Sequence, residues 1–372
     1  MLKLKMTGSF PDNSGYGDSN RADVAALYVA GIDITTEFVP QTIDTAPTGW
    51  VGELCKHLEG RDINYKIKLL HLTPDLYPRY LEPGKYHISR LVHETNRLPE
   101  DWIEPCNKLN EIWTMTDAQK QIIQSSGVKV PIYVFPEPLD ITNADRALDP
   151  WAIPFFTGTI FYTIAQFIER KDFNSLLTTY WRTFQGMEDV ILILKTHKFS
   201  YNESDFNKIK EEIERWKRGL KLISYPKVAL IKELWPLDKV WKLHKMGGTF
   251  VTASHQEGWQ RPAVEAMLAG NPVVAINKTG FADVVPHDRF YPIECAESDV
   301  IPQQSIFWYT KDMSWYNIDQ AHLSKTMLEI YNNKDAAKDR GAKARDFVKA
   351  NLNYQVVGNA MKARLEAISN II

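Results

Sequence analysis

The sequence has little cysteine: Cys55, Cys106 and Cys295 are its only cysteines among 372 residues. They are odd in number, lie far apart and lack the spacing of metal ligands, which argues against a disulfide framework or a metal site and favours reduced thiols. Long hydrophobic runs are also missing, since none approaches the roughly 18 to 20 residues of a transmembrane helix. The first residues, MLKLKMTGSF, alternate like a strand and not like a signal peptide. We therefore expect a soluble cytoplasmic protein with no transmembrane segment.

A strong charge of either sign is absent as well, because the formal net charge is −2 at pH 7. This balance gives no general attraction to nucleic acid or anionic lipid, although it is compatible with a local basic patch. Hydrophobic residues make up 44% of the chain and charged residues 24%, as in ordinary globular proteins. Because 372 residues exceed the size at which one core usually stops growing, we expect two domains.

Short apolar runs alternate with amphipathic stretches of helical length, which is typical of α/β proteins with parallel sheets covered by helices. The pattern predicts strands at 2–6, 32–39, 67–72, 87–92, 111–115, 132–135, 160–165, 190–195, 221–230, 249–253 and 272–276. Residues 136–158 carry Pro136, Pro138, Pro150 and Pro154 with little periodicity, which indicates a connection between domains. We therefore expect one domain at 1–150, a second at 151–350 and a C-terminal helix at 351–372.

The most informative segment reads SHQEGWQRPAVEAMLAGNPVV and begins at Ser254. It follows a predicted strand, enters a helix near Arg261 and leaves it near Gly270. Parallel sheets bind ligands at the carboxyl ends of their strands, and a helix N-terminus suits an anionic diphosphate. Glu257 would lie in the loop and Glu265 about one turn inside the helix, and because a carboxylate can accept hydrogen bonds from vicinal sugar hydroxyls, the two could hold both ends of a nucleotide sugar. Helix position alone favours a simpler role, in which Glu257 complements the helix dipole and Glu265 is an ordinary polar residue.

The stretch EGWQRPAVEAMLAGNPVV closely resembles the E-x7-E motif of retaining GT-B glycosyltransferases, the large family 4-like group that includes sucrose synthases and bacterial glycan-building transferases. The resemblance implies two Rossmann-like domains facing a central cleft, with C-terminal helices that cross back to the first domain. It also implies that Glu257 contacts the transferred sugar and Glu265 the nucleotide ribose, with Gly258 and Trp259 beside the donor.

A second match is IAQFIERKDFNSLL, which directly follows the first strand of the second domain. The family has an arginine and, five positions later, a lysine, and both neutralise the donor diphosphate. This sequence has Gln166 and Lys171 at those places. Arg170 or Lys195 would supply the missing positive charge; a solvated helix start is the simpler explanation of the Arg170-Lys171 pair.

Two glycine segments also resemble parts of the family's donor site. In NKTGFADVV, Gly280 matches a glycine loop that approaches the donor, although the family has two adjacent glycines there. In GSFPDNSGYGDS, Gly15 and Gly17 match a flexible loop over the sugar phosphate, and glycine lets backbone approach a ligand closely. The turn between a strand and a helix capped by Ser19 would need glycine in any case.

The segment HETNRLP follows another strand of the first domain, where many relatives present a histidine to the donor sugar. The resemblance makes His93 the candidate, with Glu94 as an alternative; a lone histidine at a strand end is otherwise structural or exposed. The run EIWTMTDAQKQIIQSSGVKVPIYVFPEPLD resembles the family's end of domain one, with Glu137-Pro138 in place of its usual histidine and glycine.

The resemblance implies metal-independent transfer, with retention, of a sugar, most simply a hexose from a UDP-sugar, to a hydroxyl of a glycan or small molecule. Lys171, Glu257 and His93 would be catalytic, and no cofactor is expected. The alternatives are a non-catalytic nucleotide-sugar-binding protein, an epimerase or phosphorylase, and a transferase acting on hydroxymethylated bases in DNA. The basic stretch 208–232 would then follow the DNA backbone, or it is a solvated amphipathic helix. The aromatic segment 307–316 would stack on a sugar or base, or pack at a domain interface.

Overall fold

The computed structural model describes residues 2–12, 14–40, 49–302, 306 and 308–372. The chain forms two compact units, one made of Met1–Thr142 with Lys349–Ile372 and the other of Asn143–Val348. We call them unit 1 and unit 2.

Unit 1 contains a six-stranded sheet of order β2-β1-β3-β4-β5-β6, in which all neighbouring strands are parallel. Its strands are β1 (Lys3–Gly8), β2 (Asp33–Phe38), β3 (Ile67–His71), β4 (Tyr86–Arg90), β5 (Glu111–Thr114) and β6 (Ile132–Val134). Its first helices are α1 (Gly15–Val29), α2 (Trp50–Leu58), α3 (Tyr77–Tyr80), α4 (Glu100–Asn107) and α5 (Asp117–Ser125). Alternate strand residues such as Leu4, Met6 and Ile88 enter one buried core with Trp113.

Unit 2 repeats this design with a second parallel sheet, of order β12-β11-β10-β7-β8-β9. Its strands are β7 (Thr159–Gln166), β8 (Val190–His197), β9 (Lys227–Ile231), β10 (Thr249–Val251), β11 (Val273–Ile276) and β12 (Tyr291–Ile293), and an antiparallel pair, β13 (Cys295–Asp299) and β14 (Ser314–Ile318), lies apart. Its helices are α6 (Phe173–Thr183), α7 (Glu203–Leu220), α8 (Leu237–His244), α9 (Arg261–Leu268), α10 (Gln320–Asn332) and α11 (Lys334–Asn351). The two parallel sheets confirm the predicted α/β class.

The last helix, α12 (Tyr354–Ser369), belongs to unit 1, where it packs against α1. Gly358 allows this approach, because a Cβ there would collide with the carbonyl oxygen of Ala26. Asn353 caps the helix by accepting a hydrogen bond from the Val356 N–H at 2.9 Å. The chain therefore returns to its first sheet at its C-terminal end.

Three local predictions were wrong. Helix α1 begins at Gly15 instead of Ser19, because Ser14 caps it by accepting a hydrogen bond from the Gly17 N–H at 3.2 Å. The strand expected at 221–230 begins at Lys227, since α7 continues to Leu220. Strands β12 to β14 were missed: YPI is short and includes a proline, CAESD includes two acidic residues, and SWYNI overlaps the aromatic segment that was interpreted as a stacking or packing surface.

Candidate active site

The turn after β7 places Arg170 and Lys171 at the carboxyl edge of the unit 2 sheet. Residues 169–171 form a single 3-10 turn, after which Asp172 adopts a left-handed conformation with φ 41°. The Asp172 carboxylate then caps α6 by accepting a hydrogen bond from the Ser175 N–H at 3.0 Å. The turn and the cap together fix the direction in which the two basic side chains leave the backbone.

Glu257, in the loop between β10 and α9, meets both of these cations. Arg170 Nη1 donates to Glu257 Oε2 at 2.7 Å and to the Gln256 carbonyl oxygen at 2.8 Å. Lys171 Nζ donates to the other carboxylate oxygen, Oε1. The backbone joins the two segments as well, because the His255 N–H donates to the Arg170 carbonyl oxygen at 2.8 Å.

This cluster, Arg170, Lys171 and Glu257, combines two cations with one carboxylate; Arg170 and Glu257 are buried, and Lys171 is partly buried. Glu257 is 6% exposed and Arg170 is 8% exposed. Burial by itself would raise the pKa of Glu257, but the charges of Lys171 and Arg170 outweigh that effect and lower it to about 2. Glu257 is therefore ionised at neutral pH and can accept hydrogen bonds, while the two cations beside it favour the binding of an anion.

Gln166, which stands where the resemblance has an arginine, makes a structural contact. Its Nε2 donates to the Lys198 carbonyl oxygen at 2.7 Å and so joins the ends of β7 and β8. The guanidinium beside Glu257 comes instead from Arg170, four residues later in the chain. The structure thus brings Arg170, Lys171 and Glu257 together.

Gly258, Trp259 and Gly280 lie around the Glu257 loop. All three are buried, and the Phe281 N–H donates to the Trp259 carbonyl oxygen at 3.0 Å. Gly280 has φ +56°, and a Cβ at this position would lie 2.8 Å from that oxygen and 3.2 Å from Glu257 Cβ. The position therefore requires glycine for both conformation and space.

Glu265 lies one turn inside α9 and makes its own contacts. Its Oε1 accepts a hydrogen bond from Arg261 Nε at 2.9 Å, and its Oε2 lies 3.7 Å from His244 Nε2. Burial would raise the pKa of Glu265, but the His244 and Arg261 contacts hold it below its ordinary value. The carboxylate therefore also stays ionised, with one oxygen held along its own helix and the other turned towards α8.

Lys195, near the end of β8, lies among aromatic rings. Its Nζ is 5.7 Å from the ring centres of both Tyr201 and Trp235, and the residue is 6% exposed. Burial lowers its pKa to about 8, although Glu233 acts in the opposite direction. Burial and the nearby Lys195 lower the pKa of His197 to about 4. The contacts of Lys195 are therefore with aromatic rings, and not with the Glu257 cluster.

The candidates in the first half of the chain belong to unit 1. His93 is 1% exposed, and its ring packs edge-on against Trp102 with 5.3 Å between centroids. The Gln119 side chain bonds to the backbone N–H and C=O of His93, at 2.9 and 2.6 Å. Glu94 follows His93 and is only partly buried.

The two glycines of the first loop differ in the space around them. A Cβ on Gly17 would collide with the Asp12 carbonyl oxygen, whereas a Cβ on Gly15 would meet nothing within 4 Å.

Several residues around the site were not expected from the sequence. His255 stacks on Trp315 with 4.4 Å between ring centroids, and its Nδ1 lies 3.0 Å from the Tyr316 carbonyl oxygen. This contact depends on the β13–β14 pair, about 60 residues away, for which no local signal exists.

Asp172 could have been recognised from the sequence, since an aspartate before an apolar helical run is a typical N-cap. The aromatic segment contributes Trp315 to a buried cluster with Val300, Tyr309 and Met313, while Phe307 lies outside the described residues.

Two further properties bear on the kind of site. In residues 2–12, 14–40, 49–302, 306 and 308–372, no group of three or more His, Cys, Asp or Glu side chains is arranged to hold a metal ion. Among the same described residues, no helix combines the length and hydrophobicity needed to cross a membrane.

Comparison with known proteins gives one family match, and it falls in unit 2. Residues 208–292 match the family described as "Glycosyl transferases group 1". This region includes Glu257, Glu265 and Gly280. No curated protein sequence shows significant similarity to the chain.

Solved structures match nearly the whole chain at low sequence identity. HepE from Anabaena, in complex with UDP and glucose, is 13% identical and has a TM-score of 0.69 over 99% of this chain and 100% of its own. Sucrose-phosphate synthase from Thermosynechococcus elongatus is 13% identical, with a TM-score of 0.68 over 100% of both chains. The N-terminal domain of trehalose-6-phosphate phosphatase from Candida albicans is 10% identical, with a TM-score of 0.63 over 98% and 96%. The chain therefore has the expected GT-B fold of two Rossmann-like domains, and its residues 208–292 carry the sequence signature of group 1 glycosyl transferases.

Proposed function

We propose that this protein is a glycosyltransferase that moves a sugar, most simply a hexose, from a UDP-sugar to an acceptor hydroxyl with retention at the anomeric carbon. The observation that carries the proposal is the cluster of Arg170, Lys171 and Glu257 at the carboxyl edge of a parallel sheet. The family match over 208–292 and the UDP and glucose bound to HepE support the same activity. In this proposal unit 2 is the donor domain, unit 1 is the acceptor domain, and the protein is a member of the E-x7-E family.

The leaving group of such a reaction is a diphosphate, on which negative charge develops as the glycosidic bond breaks. Lys171 and Arg170 supply positive charge that is fixed in place before the reaction, which is the most effective form of electrostatic stabilisation. Both cations contact the single carboxylate of Glu257, which concentrates positive charge at this edge of the sheet. Protein cations would therefore serve where other transferases use a metal ion, and we propose that no cofactor is needed.

The two glutamates would hold different parts of the donor. We propose that Glu257 accepts hydrogen bonds from hydroxyls of the transferred sugar, while Glu265 accepts them from the nucleotide ribose. Both carboxylates have lowered pKa values and are therefore acceptors at neutral pH. Gly258, Trp259 and Gly280 would let backbone lie close to the donor, and Lys195 would add a cation at the end of the next strand.

Retention is proposed to proceed by attack on the same face of the sugar, with the departing phosphate accepting the proton of the acceptor hydroxyl. No side chain is then required as a general base. Gly15 and Gly17, in the first turn of α1, would lie over the sugar phosphate. A direct role for His93 would require its ring to leave Trp102, because it is 1% exposed in this structure.

The acceptor is proposed to be a glycan or a small molecule. A transferase acting on hydroxymethylated bases in DNA has less support, because α7 carries five acidic side chains (Glu203, Asp205, Glu211, Glu212, Glu214) and five basic ones (Lys208, Lys210, Arg215, Lys217, Arg218). Some of the basic residues near α7 are already paired with helix carboxylates, Lys198 with Glu212 and Lys232 with Glu203. The three cysteines are free thiols, which is compatible with the cytoplasmic location that we propose.

The test is a thermal-shift screen across UDP-, GDP-, ADP- and dTDP-sugars, followed by NMR of the product formed from a labelled donor. We expect a UDP-sugar to raise the melting temperature most and the product to keep the anomeric configuration of the donor. Acceptors would include oligosaccharides, small polyols and hydroxymethylated DNA. Binding without transfer or hydrolysis would favour a non-catalytic protein, and an epimerised or phosphorolysed sugar would indicate one of the other enzyme classes.

A further inference from the structure

A buried polar network lies behind Glu265, on the side of the carboxylate away from Arg261. It consists of His244 at the end of α8, Tyr162 on β7 and Asn271 just before β11. His244 and Tyr162 are fully buried, and Asn271 is 4% exposed. Burying three polar side chains is costly unless they satisfy one another, so the arrangement of their hydrogen bonds is informative.

The directions of these hydrogen bonds follow from the Asn271 amide. Its Nδ2 lies 2.6 Å from the His244 carbonyl oxygen, which can only accept, so this atom is a donor. The same Nδ2 donates its second hydrogen to Tyr162 Oη at 2.8 Å. The phenol accepts that bond and has its own hydrogen available for His244 Nδ1, which lies 2.8 Å away.

An accepting Nδ1 leaves the hydrogen of the neutral imidazole on Nε2. Nε2 makes no hydrogen bond with any described residue, and the Glu265 Oε2 atom lies 3.7 Å from it. A buried N–H that lacks a full hydrogen bond costs free energy. Approach of the Glu265 carboxylate towards the ring reduces that cost. The other oxygen, Oε1, is held by Arg261 at 2.9 Å.

We infer that His244 is a positioning residue for the donor nucleotide: its Nε2–H, oriented by Tyr162 and Asn271, faces the inner oxygen of Glu265 at 3.7 Å and attracts it, which aligns the carboxylate for the ribose hydroxyls. This inference rests on the proposed binding of a nucleoside diphosphate. It assigns a task to three residues that the sequence did not single out and that lie far apart in the chain. His244 acts only through Glu265 and touches no substrate.

The test is isothermal titration of UDP and 2′-deoxy-UDP into wild type and variants. His244→Leu should weaken UDP binding about ten-fold, the size of effect expected from losing one buried polar contact with a charged group. The same variant should lose much of the preference for UDP over 2′-deoxy-UDP. His244→Gln should restore most of the affinity, since its amide can donate from the position of Nε2. Tyr162→Phe should show a smaller loss, and the matched control Tyr180→Phe, whose hydroxyl bonds to the Lys227 carbonyl oxygen, should show none.

A double-mutant cycle separates positioning from a general structural role. If His244 acts through Glu265, His244→Leu should cause no further loss in a Glu265→Ala background. Independent losses in the double variant, or unchanged UDP affinity in His244→Leu with a normal melting temperature, would overturn the inference while leaving the proposed function intact. Wild-type protein that binds no UDP at all would overturn both. Should His244→Leu fail to fold, the comparison of Tyr162→Phe with Tyr180→Phe decides the question with smaller changes.

Discussion

Arg90 in unit 1 and Arg170 in unit 2 both lie at the carboxyl edge of a parallel sheet and both contact a buried carboxylate. Arg90 Nε donates to Asp23 Oδ2 at 3.1 Å, and its other nitrogens donate to the carbonyl oxygens of Thr114, Phe135 and Pro136 at 3.0, 2.7 and 3.2 Å. Arg170 instead shares the Glu257 carboxylate with a second cation, Lys171. The first arginine joins the ends of strands, whereas the second shares its carboxylate with another cation.

The difference shows that a buried ion pair does not by itself mark a binding site. In unit 1 the charges of Arg90 and Asp23 balance, and burial lowers the pKa of the adjacent His71 in spite of Asp23, so the histidine adds no charge at neutral pH. In unit 2 two cations, Arg170 and Lys171, meet one carboxylate, that of Glu257. This meeting of two cations at one carboxylate, more than burial, makes the unit 2 cluster the candidate active site.

The largest expected effect is on folding, through Arg90. Arg90→Met leaves Asp23 as an uncompensated buried charge and removes hydrogen bonds to three carbonyl oxygens, so we expect the free energy of unfolding to fall by about 3 to 5 kcal/mol. Urea unfolding measures the change, and Arg61→Met, which removes a more exposed pair with Asp33, is the matched control. Combining Arg90→Met with Asp23→Asn should recover part of the loss. A stable Arg90→Met variant would show that the two arginines differ less than their contacts indicate.

The next largest effect is on catalysis, through Lys171. Lys171→Ala should lower the rate of sugar transfer by about 100- to 1000-fold, as removal of one fixed charge from a developing anion does in other enzymes. UDP affinity should change less, and the free energy of unfolding should change little because Arg170 still neutralises Glu257. Transfer assays with the donor found in the screen measure the effect, with Lys208→Ala on the exposed face of α7 as control. Unchanged transfer would remove Lys171 from the site.

Much of the fold could be predicted because parallel strands leave strong local signals. Strand β8, VILILKTH, is a continuous apolar run typical of a strand buried on both faces, and it was located correctly. Strand β12, YPI, was missed because three residues with a proline carry no such signal. The start of α1 was misplaced because Ser14 and Ser19 are both acceptable caps, and only the Ser14 contact with the Gly17 N–H decides between them.

The candidate site likewise has residues that the local sequence reveals and contacts that it does not reveal. The spacing of Glu257 and Glu265 and the Arg170-Lys171 pair are local, so they were visible in the sequence. Whether Arg170 or Lys195 stands beside Glu257 depends on side-chain direction, which the turn at 169–171 and the left-handed Asp172 determine. The network around His244 joins β7, α8 and Asn271, two residues before β11, and no local pattern brings these segments together.

Lys195 offers a third case, a buried cation that lies between aromatic rings and has no ion pair with a carboxylate among the described residues. Its pKa is about 8 in the folded protein, below the ordinary value near 10.5 that it has when unfolded. The unfolded chain therefore binds more protons between pH 8 and 10.5, and this residue makes stability rise with pH across that window. Lys195→Met should raise the free energy of unfolding at pH 7 by about 1 to 3 kcal/mol, and the gain should disappear towards pH 10.5.

Urea unfolding at pH 7 and pH 10 measures this difference, with Lys338→Met on the exposed side of α11 as control. The same variant tests whether the Lys195 cation also holds the donor. If it does, UDP affinity of the wild type should fall as pH rises through 8, and the fall should be absent in Lys195→Met. A variant that is less stable than wild type at pH 7 would mean that the aromatic rings compensate the buried charge fully.

The smallest effect concerns two glycines that the sequence assigned alike to the donor site. Gly280→Ala in unit 2 places a Cβ 2.8 Å from the Trp259 carbonyl oxygen at φ +56°, so we expect a loss of about 1 to 2 kcal/mol in unfolding free energy, together with weaker UDP binding. Gly15→Ala in unit 1 meets no atom within 4 Å and lies in the first turn of α1, where alanine is favourable, so stability should be unchanged or rise by up to about 0.5 kcal/mol. Because Gly15→Ala leaves the fold intact, any change that it causes in donor affinity reports on contact with the ligand itself. Equal losses of stability in the two variants would contradict the distinction.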